Sequence, residues 1–124
     1  MSLAIRVFGQ LKIGATQANN ELLTLYSTNS NKVPTGKAAI VKSVRLANTS
    51  ASTTRKLTLN YLSGISGAAN KAVSPKDLTL APGSMVILND ELILVADDKL
   101  RASFNDSGTG DDIDVVLGGV ERDQ

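Results

Sequence analysis

The sequence holds no cysteine, no histidine and no tryptophan. Without cysteine there is no disulfide framework, thiolate nucleophile or Cys-based zinc site. Without histidine the chain supplies neither a Ser-His-Asp triad nor an imidazole general base. Carboxylate, lysine and hydroxyl chemistry remain. The aromatics are only Phe8, Tyr26, Tyr61 and Phe104, too few for a platform that stacks sugars or single-stranded nucleic acid. No apolar run approaches the roughly 18 residues that span a bilayer. No charged region followed by an apolar stretch marks a secretory signal, and residues 1–3 are compatible with a cloning remnant. Gly64, Gly67, Gly108 and Gly110 are not followed by the Gly-Lys-Ser/Thr of a phosphate loop, so no cofactor is expected.

What is present suits a single globular domain over residues 1–124, with 42% apolar and 20% charged residues. The net charge of +1 conceals an asymmetry. Residues 1–76 carry ten Lys/Arg against the single acid Glu21, and residues 77–124 carry eleven Asp/Glu against Lys99, Arg101 and Arg122, so +9 and −8 leave +1. The halves attract, either inside one subunit through strands that share a sheet or between subunits packed head to tail. The basic residues are dispersed and the whole is nearly neutral, which argues against nucleic acid as a partner.

Period-two alternation recurs from end to end, and helical spacing is not sustained over three turns. Leu57, Leu59 and Tyr61 alternate with Lys56, Thr58 and Asn60; Leu100, Ala102 and Phe104 alternate with Lys99, Arg101 and Ser103; Ile113, Val115 and Leu117 follow the same rule. Segment 38–47 reads as a central strand with Ile40, Val44 and Leu46 on one face. Val33-Pro34-Thr35-Gly36 and Ala81-Pro82-Gly83-Ser84 mark turns before strands. Asn48–Thr54 is a polar hairpin connection, and 62–76 a long loop with room for one helical turn. About eight strands are expected, at 4–8, 10–15, 21–27, 38–48, 55–62, 77–81, 84–95 (with a break near 90) and 99–104, and 112–120 makes a ninth. The fold class is all-β: a single-domain antiparallel β-sandwich, jelly-roll-like. Its open edges need covering, for which another copy of the chain is suited.

Few constellations could carry chemistry. Asp106-Ser107-Gly108-Thr109 has the residues of an aspartic-protease loop, but too little chain follows to complete such a protomer, and a glycine-rich hairpin tip is the plainer reading. Asp106, Asp111, Asp112 and Asp114 offer oxygen ligands to calcium, without EF-hand spacing or a closing glutamate. Asp97-Asp98 reads as a turn, since adjacent strand residues face opposite sides. Lys42 interrupts an apolar face and is expected to pair with an acid from the second half. The Asn-x-Ser triplets at Asn48 and Asn105 mark surface loops.

The order of features resembles the small β-sandwich structural modules of bacteriophage virions, of the tail, fibre or decoration type. The matching elements are Val7-Phe8-Gly9-Gln10, Leu25-Tyr26-Ser27-Thr28, Val33-Pro34-Thr35-Gly36, the strand from Ile40 into Asn48-Thr49-Ser50, the turn Leu80–Gly83, the step Leu94, Asp98, Leu100, then Ser103-Phe104 and Gly119-Val120-Glu121. Asn29-Ser30-Asn31-Lys32 and the Asp-rich tip 106–114 depart from that pattern. The resemblance implies assembly, with no catalytic residues and no enzymatic activity. The chain is then a virion protein, made in the host cytoplasm, whose partners are itself, as a trimer or larger ring, and other virion proteins at capsid, neck or tail. Candidate subunit contacts are Lys12, Lys32, Lys37 and Arg55 on the basic side and Asp97, Asp98, Asp111, Asp112 and Asp114 on the acidic side. The alternative is a receptor- or carbohydrate-binding module using loops 28–36, 63–76 and 105–112.

Overall fold

The alternating segments become strands wherever one parity of side chains finds a core. In the computed structural model, which describes residues 3–17, 20–64, 71–106 and 108–123, ten strands are present among those residues. They are β1 (Leu3–Gly14), β2 (Asn20–Glu21), β3 (Lys37–Asn48), β4 (Arg55–Leu62), β5 (Lys71–Ala72), β6 (Leu78–Leu80), β7 (Met85–Leu88), β8 (Leu92–Leu94), β9 (Lys99–Phe104) and β10 (Asp111–Asp123). One five-stranded sheet runs β1-β10-β3-β7, with β8 following β7 along the same side of β3; the other runs β2-β9-β4-β5, with β6 also on β4. Every pairing is antiparallel. First and last strands lie side by side and the chain alternates between sheets, which is jelly-roll topology. Phe8, Leu46, Val115 and Leu117 from the first sheet meet Leu57, Leu59, Leu100 and Ala102 from the second, all essentially inaccessible. Each large apolar side chain buried in this way contributes about 1.5–3 kcal/mol.

Two bulges alter the expected strand pattern. Segments 4–8 and 10–15 are one strand, β1, in which Val7 pairs with Gly118 and Gly9 with Leu117, leaving Phe8 as the extra residue. Side-chain parity flips there, so Leu3, Ile5 and Val7 point outward while Phe8 and Ile13 point in. In β3, Ser43 pairs with Gly118 and Val41 with Gly119, so Lys42 is extra. Consequently Ala39 and Val41, not Ile40, share the buried side with Val44 and Leu46. The break expected near 90 is present as Asn89–Glu91 between β7 and β8.

The expected strand 21–27 is mostly a 3-10 helix over Thr24–Asn29. Leu22 and Leu23 are consecutive and both fully buried, a pattern that a half-exposed strand cannot satisfy. The helix ends at Ser30 and Asn31, both left-handed at φ 57°, and Asn29 Nδ2 donates to the Lys32 carbonyl at 2.9 Å. The inserted 29–32 stretch is therefore a helix terminus. Within the expected loop 62–76, residues 71–72 form β5 and residues 65–70 lie outside the described residues, as do Met1 and Ser2 of the 1–3 segment.

Turn and edge chemistry complete the frame. Pro82 and Gly83, at φ +75°, shape a type II turn closed by Ser84 N–H to the Ala81 carbonyl at 3.0 Å. The free edge of β1 is covered beyond Val7 by the segment that follows it. A Cβ at Gly9 would lie 2.0 Å from the Leu22 carbonyl oxygen, Gln10 N–H donates to Thr24 Oγ1 at 3.4 Å and Asn20 Nδ2 to the Gly14 carbonyl at 3.1 Å. Leu3–Val7 has no such cover among the described residues.

Candidate functional site

Charges from the two halves of the sequence meet mainly within one copy. Lys12 reaches Asp114 at 2.7 Å, Lys37 reaches Asp123 at 2.6 Å and Lys42 reaches Glu91 at 2.5 Å. The Lys42 pairing with an acid of the second half is the one expected. Lys32 lies 3.9 Å from Asp97. In the reverse sense, Lys99 and Arg101 of the acidic half both hold Glu21 of the basic half, at 3.2 and 2.6 Å. Most of these partners are half-exposed, where an ion pair contributes under about 1 kcal/mol.

Two of the candidate subunit contacts are internal. Arg55 opens β4 on the same parity as Leu57 and Leu59, and its side chain is 0% exposed. Its Nε donates to Asp106 at 3.0 Å, and its Nη1 to the Gly110 carbonyl at 2.8 Å and to Asp112. The guanidinium lies 4.5 Å from the centroid of the Phe104 ring, while Nη2 is buried without a hydrogen bond among the described residues. Asp106 also accepts the N–H groups of Lys56 and Gly108, both at 2.8 Å. Burial pushes the Asp106 carboxyl up, but these N–H donors and Arg55 outweigh it and hold the pKa below the ordinary value. Asp98 is the other internal residue, 2% exposed against an exposed Asp97. It accepts from the Tyr61 hydroxyl, Gly64 N–H and Val95 N–H at 2.8–2.9 Å, so the Asp97-Asp98 pair is a turn, as its sequence suggested. Neither Arg55 nor Asp98 is available to a neighbour. Lys12, Lys32, Lys37, Asp97, Asp111 and Asp114 keep accessible side chains, and Asp112 is partly covered.

The four candidate calcium ligands are divided among separate partners. Asp106 and Asp112 neutralise Arg55, Asp114 faces Lys12, and Asp111 accepts the Thr16 hydroxyl at 2.6 and 2.8 Å. Among the described residues no three acidic, His or Cys side chains converge. In the protease-like stretch Asp106 is held ionised against Arg55, which opposes the shared proton of a catalytic dyad; Ser107 lies outside the described residues. The aromatic rings are engaged internally as well. Phe8 and Tyr26 are 6.1 Å apart in the core, Tyr61 is tied to Asp98, and Phe104 carries Arg55.

Sequence reasoning missed two buried polar knots. The Tyr26 hydroxyl donates to Glu121 at 2.6 Å, and Arg6 stands 3.4 Å from the same carboxylate. Burial, then Glu121, pushes the Tyr26 phenol far above its usual range. Asn48, in a triplet that suggested only a surface loop, is 2% exposed. It donates to the Thr53 and Leu80 carbonyls, both at 2.9 Å, and accepts from Ser50 N–H at 3.0 Å.

The least satisfied surface is apolar. Pairing puts Ile5, Val120, Ile40 and Ile93 in one row across the outer face of the five-stranded sheet, over β1, β10, β3 and β8. The two end members are the most open, Ile5 at 92% and Ile93 at 60%. Leu3, Val7, Met85, Ile87, Val95 and Val116 are also exposed. Beneath the β7–β8 side, a cavity of about 260 Å³ lies between the sheets, walled by Val41, Val44, Leu59, Leu88, Leu92 and Leu100, with Asp90 and Glu91 among its lining. No helix among the described residues is long and apolar enough to cross a membrane.

No protein-family model matches this sequence, and no curated protein matches it. Among solved structures it is similar to a chain in the structure of infectious bursal disease virus, Gx strain, with a TM-score of 0.52 and 16% identity. The match covers 97% of this chain and 32% of the viral one, and at that identity it shows a shared fold.

Proposed function

We propose that this chain is a non-enzymatic structural protein of a virus particle, of the bacteriophage kind its motif order resembles. It self-associates, as a trimer or larger ring, and attaches to other virion proteins at capsid, neck or tail. The observation that carries the reading is the apolar outer face of the five-stranded sheet. A row of four aliphatic side chains most open at its two ends is costly to leave in water, and continuous apolar patches mark protein contacts. The fold-level likeness to a chain of a virus supports a place in a virion. Internal pairing of the split charge turns the expected contact away from electrostatics and toward this face.

The test is the absolute mass of the purified protein by light scattering after size exclusion, across protein concentration and in low and high salt. A trimer or larger species that persists at about 0.5 M salt, where exposed charge pairs are screened, is the expected result. A monomer at every concentration overturns the self-association.

A further inference from the structure

Resting on that self-association, we infer that copies join head to tail by continuing the five-stranded sheet, the Leu3–Val7 half of β1 in one copy pairing with β8 of the next. Three observations converge on a second copy of this chain as the occupant.

The first is direction. β1 is antiparallel to β10, β10 to β3, and β3 to β8, so β1 and β8 run opposite ways at the two ends of the sheet. A second copy in the same orientation presents its β1 antiparallel to the first copy's β8, and the alternation continues unbroken. Among the described residues both edges lack a strand partner, since there β1 pairs only with β10 and β8 only with β3. The N-terminal half of β1 is also the part that the 20–24 segment leaves uncovered. An open edge with an apolar face is a template for strand addition.

The second is where the apolar exposure falls. In the row Ile5, Val120, Ile40, Ile93 the middle residues are partly covered by their neighbours, whereas Ile5 is 92% and Ile93 60% exposed. Sheet continuation sets Ile5 of one copy beside Ile93 of the next and removes both extremes together. Leu3 and Val7 on one side and Val95 on the other, likewise exposed, flank the contact.

The third is charge. Arg6 alternates with Ile5 and Val7, so it points to the inner side of β1, where its side chain stays 49% exposed despite Glu121. At the opposite edge Asp90 is exposed, has no ion pair or hydrogen bond among the described residues, and lines the cavity with Glu91. Continuation brings the Arg6 side of one copy to the Asp90 side of the next. The contact joins two different surfaces, so it closes into a ring or extends as a filament, according to the angle per copy.

The absence of cysteine from the chain permits a clean test. Adjacent strands lie about 4.8 Å apart, within disulfide reach. Ile5→Cys and Ile93→Cys are prepared singly and together, oxidised mildly and resolved under denaturing, non-reducing conditions. Light scattering is run alongside, including on Ile93→Lys, an exposed position whose change spares the core. The expected result is a covalent ladder from the double variant, a cross-linked dimer only when the two single variants are mixed, and loss of the assembled mass for Ile93→Lys with unchanged melting. Cross-linking of Ile5→Cys with itself would mean a symmetric β1–β1 contact and overturns head-to-tail joining. An assembled protein that yields no cross-link overturns this interface while leaving self-association standing. A monomer throughout overturns both.

Discussion

Replacing Arg55 with methionine keeps the volume of the stem and removes the charge at the centre of the most buried polar cluster. The guanidinium has no solvent exposure and holds Asp106 and Asp112, whose side chains are 8% and 22% exposed. Removing one partner of a buried pair costs about 3–5 kcal/mol, because the other charge is left uncompensated. Asp106 retains the N–H groups of Lys56 and Gly108, and Asp112 is partly wet, so the lower end applies, about 3 kcal/mol. At about 4 °C per kcal/mol for a domain of this size, the melting temperature falls by about 12 °C at neutral pH. The pH dependence carries a sign. Asp106 has a folded pKa below its unfolded value, so its contribution is full above the ordinary carboxylate range of about 4 and is lost as pH falls through the folded value. In the variant that depression weakens, so the gap between wild type and variant narrows in acid. Adding Asp106→Asn and Asp112→Asn removes the orphaned charges and restores part of the loss. Calorimetry from neutral pH into acid reads all three effects. A drop under about 3 °C, too small for a buried charge left alone, or a triple variant less stable than Arg55→Met, refutes the reasoning.

The other expectations concern single contacts. Tyr26→Phe removes the donor to Glu121 and costs about 1–2 kcal/mol by urea unfolding. Because the Tyr26 phenol is raised in the folded chain, its contribution is full below the unfolded value of about 10 and fades as pH rises beyond it; the alkaline loss of stability is shallower in Tyr26→Phe. Asn48→Ala strands the Thr53 and Leu80 carbonyls and costs about 2–3 kcal/mol, and an unchanged denaturation midpoint would show that water replaces the amide. Gly9→Ala forces a methyl against the Leu22 carbonyl and lowers stability by about 2 kcal/mol or more, read as the same midpoint shift.

Where one face of a strand met the core and the other met water, alternation was sufficient: β4, β9 and β10 follow the parities that Leu57, Leu100 and Ile113 announce. It failed where both parities are apolar. Nothing in Leu3-Ala4-Ile5-Arg6-Val7-Phe8 tells a reader that the first three odd positions face outward, because the flip depends on a bulge at Phe8 set by pairing with β10. The Lys42 bulge misled the reading of Ile40 in the same way. Leu22-Leu23 did carry a signal, since two adjacent buried residues suit a tight helical turn better than a strand. The Arg55 cluster was half legible. Arg55 stands two residues before Leu57 on the buried parity, and the tip with its aspartates lies one strand away, yet arginine reads as a surface residue until that parity is applied to it. The apolar edge row was hidden, because its four members come from four distant segments.

The place of β10 in the sheet sets a timetable for synthesis. It lies between β1 and β3, so β1 waits for this much later strand before it gains a neighbour in its own sheet among the described residues. In the finished sheet β1 and β3 stand about two strand spacings apart, near 10 Å, and until β10 is made nothing bridges that separation. During that interval the inner faces of Phe8, Ile13 and Leu46 have no completed layer, the condition under which chains aggregate or engage chaperones. Closure over such long sequence separations is slow. The topology thus leaves the outer face of the five-stranded sheet, and the row of Ile5, Val120, Ile40 and Ile93 on it, unfinished until β10 takes its place between β1 and β3.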